Sequence, residues 1–179
     1  GDGRSEIAIG DLYYSTCAGS ASNGRVYIIN SLCHNYVVNA MANDGVSNWN
    51  VIGTATTGSG TDPYFILPAE GDFLYQDITI PSGSSTVQIS AQVRSARMLA
   101  NEGFPYLYAY VMNSSGRILQ NLTSSTSNSL SWKELDIDSS VNARGRTLRL
   151  FLKRSAVSGY NQSNTAYFDD ITVHFDCGT

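Results

Sequence analysis

The stretch Ala166-Tyr-Phe-Asp-Asp-Ile-Thr-Val-His-Phe175 decides the fold. Phe168, Ile171, Val173 and Phe175 are apolar, and from Ile171 onward apolar and polar residues alternate. A period of two is what a half-buried β-strand requires. Asp169-Asp170 interrupts the alternation. Adjacent carboxylates on a strand point to opposite faces, so one of the pair is expected to face inward. There it needs a cation or several donors to offset its desolvation.

The same period recurs upstream. In Phe73–Ile80, Leu74, Gln76, Ile78 and Ile80 share one face, and Phe73, Tyr75 and Asp77 the other. In Val87–Arg94 the buried face takes Val87, Ile89, Ala91 and Val93, leaving Gln88, Ser90, Gln92 and Arg94 outside. Tyr106–Met112 turns Leu107, Ala109 and Val111 inward and sets Tyr106, Tyr108 and Tyr110 in an outer row. Thr147–Lys153 turns Leu148, Leu150 and Leu152 inward and Arg149, Phe151 and Lys153 outward. Shorter strands are expected at 64–67, 117–122 and 131–137, and 51–62 reads as loop with at most a weak strand. Asn23-Gly24 signals a hairpin between possible strands at 6–14 and 25–29. Residues 1–35 are therefore expected to form an N-terminal extension or linker hairpin, and 36–179 the main domain. No helix and no internal repeat is signalled. The expectation is an all-β chain, an antiparallel β-sandwich.

The bulk numbers fit one secreted domain. The chain has 179 residues, of which 15% are charged, against roughly 25% in soluble proteins generally. A net charge of −4 argues against nucleic acid or an anionic membrane as partner. No apolar run approaches the ~18 residues of a membrane span, so no membrane insertion is expected. A start at Gly1 is expected to begin a mature or excised segment of something longer. With 3 cysteines at most one internal disulfide can form, and no Cys-x-x-Cys suggests zinc.

Several segments together resemble a known family. They are the closing Asp-Asp strand, Leu74-x-Gln76-x-Ile78, Val37-Val38-Asn39 followed by Asn43-Asp44-Gly45 and Asn48-Trp49, and Trp132-x-x-Leu135. Over roughly residues 36–176 the chain resembles jelly-roll carbohydrate-binding modules of the calcium-containing, galactose-binding-domain-like type. It departs from them at Met41-Ala42, where many relatives carry Phe-Glu. The resemblance implies a jelly roll with Trp49 and Trp132 in its core. It also implies a structural Ca2+ held by Asp169, Asp170 and Asp44, with backbone carbonyls of the Asn39–Gly45 turn. The adjacent first and last strands of that architecture imply a Cys33–Cys177 disulfide, with Cys17–Cys33 as competitor; either implies an oxidising compartment.

If the 87–94, 106–112 and 147–153 strands neighbour one another, one outer face carries Tyr106, Tyr108, Tyr110, Phe151, Arg149, Arg94 and Gln92, with Tyr75 close by. Aromatic rings stack on the apolar face of a sugar, and Arg and Gln meet its hydroxyls with directional hydrogen bonds. These residues are the expected ligand site, with the end loops at Tyr64, Arg97, Tyr160 and Asn161 as the alternative. The competing possibility is that the tyrosine pairs only stabilise the sheet. No motif of a hydrolase, metalloprotease or P-loop protein is present, and no outer-face carboxylate pair suggests a glycosidase. The expected function is non-catalytic binding of a polysaccharide or cell-surface glycan, outside the cell or at its surface, joined to a parent enzyme or fibre. The alternative is a phage or bacterial adhesin or fibre-tip domain, possibly trimeric.

Overall fold

The computed structural model describes residues 34–97, 104–124, 127, 129–142, 146–155 and 164–176. Internal contacts divide the chain into residues 1–34 and 35–179. The expected extension strands, the cysteines at 17, 33 and 177, and Tyr160 and Asn161 lie outside the described residues. Within 35–179 the described residues form ten strands and no helix. They are β1 (Asn50–Ile52), β2 (Thr56–Thr57), β3 (Phe65–Leu67), β4 (Phe73–Thr79), β5 (Thr86–Ser95), β6 (Pro105–Met112), β7 (Ile118–Thr123), β8 (Lys133–Ser140), β9 (Thr147–Arg154) and β10 (Ala166–Phe175).

Two antiparallel five-stranded sheets result, ordered β1-β4-β9-β6-β7 and β2-β3-β10-β5-β8. The inner faces meet in one core that includes Leu74, Val87, Ile89, Leu107, Leu148, Leu150, Phe168 and Val173. Trp49 joins this core, edge-on to Phe65 at 5.3 Å. The fold is the expected β-sandwich.

The interruption at Asp169-Asp170 is a β-bulge. Asp169 pairs with Gln92 and Thr172 with Ser90, so Asp170 and Ile171 together oppose Ala91. Asp170 takes a left-handed φ of 47°, which returns Ile171 to the core. Asp169 is the buried member of the pair and Asp170 is exposed.

Two expectations are corrected. Val37-Val38-Asn39, the place of the first strand in the architecture that the resemblance implies, forms no strand; residues 38–48 run through successive turns, with Asn39, Ala42 and Asn48 at positive φ. The buried Gln76 amide clamps those turns, donating to Val38 O at 2.8 Å and Asn48 O at 3.1 Å and accepting from Val38 N at 3.0 Å. Trp132 is 37% exposed rather than core. It precedes β8, where Leu135 and Ile137 point inward, so the period of two sets Trp132 outside with Glu134 and Asp136.

Candidate functional site

Strand register lays the outer face of the first sheet out in three rows. One runs Ile52, Phe73, Lys153, Tyr106. The middle row runs Asn50, Tyr75, Phe151, Tyr108, Thr123. The third runs Asp77, Arg149, Tyr110, Asn121. Tyr106, Tyr108 and Tyr110 follow from the alternation of β6, with Leu107, Ala109 and Val111 in the core on its other side.

The six rings form one cluster. Tyr108 and Phe151 stack in parallel, 3° apart with centroids at 4.5 Å. Tyr75, Phe73 and Tyr110 close on Phe151 at 5.7, 5.9 and 5.3 Å, and Tyr106 on Tyr108 at 5.3 Å. Each neighbour covers part of Phe151, which faces outward yet is only 8% exposed. It is the centre of the cluster rather than an open platform. The Tyr108 phenol is pushed up to about 12 by burial first, then by Tyr110 and Tyr106 and a hydrogen bond with Tyr110. It stays a neutral donor and acceptor at any physiological pH.

Arg149 anchors the third row. Its Nε and Nη2 donate to the two oxygens of Asp77 at 2.6 and 2.7 Å, a bidentate pair. Its guanidinium lies over Tyr75 at 4.6 Å. The Asp77 bond raises the Arg149 pKa further.

Arg94 and Gln92 do not belong to this face. β5 lies in the second sheet, between β10 and β8. The period of two tells inside from outside, but both sheets point their apolar residues at the same core, so it does not tell one sheet from the other. Arg94 packs instead among Tyr167, Trp132 and Tyr64, at 4.4, 5.0 and 5.3 Å from their ring centroids. Tyr64, an end-loop candidate, is thereby part of this second cluster. Arg97, another, holds Asn164 through its backbone. Further along the second sheet's outer face runs a groove of ≈ 450 Å³, lined among others by Gln88, Ser90, Asp136, Asp138, Thr172 and His174. Its floor is the Ser90–Thr172 hydroxyl pair at 2.8 Å.

Asp44, Asp169 and Asp170 do not gather into a metal site; the described residues contain no group of three or more His, Cys, Asp or Glu able to hold an ion. Of the three, Asp44 and Asp170 are exposed and Asp169 is the buried one. Burial, followed by the nearby charges of Asp170 and Asp62, pushes its carboxyl up to about 6, against a lowering by its hydrogen bond from Asp170 N. A desolvated carboxylate with like-charged neighbours is a fitting oxygen donor for a hard cation. The adjoining backbone is the 39–48 turn, whose Ala40 O accepts from Ile171 N at 3.3 Å.

No family model matches this sequence, and no curated protein matches it either. Solved structures do. The tandem CBM22-1–CBM22-2 domain of Paenibacillus barcinonensis Xyn10C superposes with a TM-score of 0.59 at 19% identity, covering 76% of this chain and 49% of that one. A second carbohydrate-binding module of family 16 gives 0.55 at 13% identity, over 78% of this chain and 99% of its own. The fold is that of carbohydrate-binding modules. The enzymatically active domain of bacteriophage CBA120 tailspike protein 4 also gives 0.55 at 13% identity, covering 79% of this chain but 21% of that one. These identities show a shared β-sandwich and nothing finer. Among the described residues, no helix is long and apolar enough to cross a membrane.

Proposed function

We propose that this chain is a non-catalytic glycan-binding domain, extracellular or displayed at a cell surface and carried by a larger enzyme or fibre, whose ligand lies on the outer face of the first sheet. One observation carries the reading: six clustered rings, flanked by Lys153 on one side and the Asp77–Arg149 pair on the other, on an outer sheet face. Half-buried tyrosines supply ring edges and hydroxyls already held in place by their neighbours, so little freedom is lost on binding. The carbohydrate-binding modules sharing the fold support the reading. Arg94 and Gln92 have no part in it.

A structural Ca2+ held by Asp169 belongs to the same reading, supported by that carboxylate's desolvation and its like-charged neighbours. Calcium would supply the missing positive charge, with the 39–48 turn beside it. EDTA is expected to lower the melting temperature and calcium to restore it; a melting curve indifferent to both removes the ion.

The test of function is a glycan-array screen with light scattering to give mass in solution. Selective glycan binding that Tyr108→Phe or Arg149→Met weakens supports the proposal. A trimer with no glycan signal would favour an adhesive fibre tip and count against it.

A further inference from the structure

Resting on that reading, we infer that the ligand is an acidic glycan, one carrying uronic-acid carboxylates, and that Lys153 receives the carboxylate. The first support is the charge inventory of the three rows. They hold Lys153, Arg149 and one acid, Asp77, whose two oxygens are both taken by Arg149. Lys153 stands between Phe73 and Tyr106, and among the described residues no carboxylate lies within ion-pair distance of it. Among the described residues the three rows therefore present one uncompensated positive charge, in a chain with 15 acidic and 11 basic residues.

The opposite face has the reverse sign. Register there aligns Asp138, Gln88 and His174, then Asp136, Ser90 and Thr172, then Glu134, Gln92 and Asp169. Against this column of acids stands Arg94, already packed among three rings. A polyanion is repelled by one side of the molecule and drawn to the other, so orientation is set before contact.

The second support is hydrogen-bonding capacity. Asp77 is the one carboxylate in the three rows, and Arg149 already occupies one lone pair on each of its oxygens, which reduces its capacity to accept from sugar hydroxyls. Lysine donates without accepting, and Tyr108 keeps its proton. A donor-rich surface suits a ligand rich in acceptors. The third is spacing. Lys153 is two residues from Phe151, about 7 Å along the strand. A sugar held against the half-buried Tyr75 and Tyr108, which flank the covered Phe151 in the middle row, lies one row from Lys153, where a ring carboxylate can meet the ammonium.

The experiment compares polyglucuronate and polygalacturonate with their carboxyl-reduced neutral counterparts, using the full chain, from low salt to 0.5 M. An acidic polymer is expected to bind about fivefold tighter than its neutral form at low salt. Lys153→Gln should bring the acidic-to-neutral affinity ratio to about one, and Lys153→Glu should invert it. Melting curves of both variants check that they fold. Neutral polymers binding as tightly as acidic ones, or a preference that survives Lys153→Gln, overturns the inference and leaves glycan binding standing. No binding to either series overturns the inference, and the glycan array then decides separately whether glycan binding stands.

Discussion

Tyr108 carries a packing role, and substitution separates it from the binding role proposed for the same side chain. Its ring covers one face of Phe151 and its hydroxyl reaches Tyr110. Tyr108→Ala exposes Phe151 and is expected to cost about 1–2 kcal/mol of stability, read from denaturant unfolding. Tyr108→Phe keeps the stack, so it should lower glycan affinity with stability nearly unchanged. A Phe variant that binds like the native chain would assign this tyrosine to packing alone. Asp169 gives a prediction in pH. Its folded pKa of about 6 lies above the ordinary 3.8, so between those values the folded chain binds more protons than the unfolded one. In metal-free buffer stability should therefore fall as pH rises from about 4 to about 6, then level off. Asp176 has the opposite sign: hydrogen bonds from Ser85 and Thr86 oppose desolvation and leave its pKa lowered. Its contribution is present above the usual carboxylate range and lost as pH falls through its folded pKa. Melts of the native chain and Asp169→Asn across this range test the assignment, since the fall between 4 and 6 should vanish in the variant.

At the scale of elements, the link from β1 to β4 turns on Gly53 and Asp72. The buried Asp72 carboxylate accepts from Thr54 N, Thr54 Oγ1 and Ala69 N at 2.9, 3.0 and 2.8 Å. Gly53 has φ +89°, and a Cβ there would meet Asp72 Oδ1 at 1.9 Å. Gly53→Ala is expected to lose about 2–3 kcal/mol, from left-handed backbone strain and the broken carboxylate network together; a melting temperature within a degree of native would contradict this. Much at this scale was legible in the sequence. Alternation in β4, β6 and β9 correctly set six aromatics outside and the leucines inside, because a strand facing one core reports its burial every second residue. Even the broken period at Asp169-Asp170 had its cause in the chain, an extra residue at a bulge. Sheet membership was not legible, which is why Arg94 and Gln92 were grouped with a face they do not share. The first strand that the resemblance implies at Val37-Val38 is absent because its backbone is taken by the turns that Gln76 clamps. The resemblance puts Trp132 in the core, while its parity with Glu134 and Asp136 places it outside.

At the scale of the molecule, the two outer faces differ in charge, and among the described residues each sheet ends in strands paired on one side only. β8 is such an edge strand. Glu134, Asp136 and Asp138 project from it in exposed positions while Leu135 and Ile137 are buried. An unpaired strand edge is a template for adding another chain, and charge is the usual defence. A second copy pairing antiparallel along β8 would bring carboxylate against carboxylate at every alternate position. The triple change Glu134→Gln, Asp136→Asn, Asp138→Asn should thus leave the melting temperature nearly intact but raise light scattering over days at high concentration. The same acids then acquire a meaning for life in a crowd. At high local concentration, neighbouring copies are discouraged from fusing into ribbons, so each stays separately dispersed.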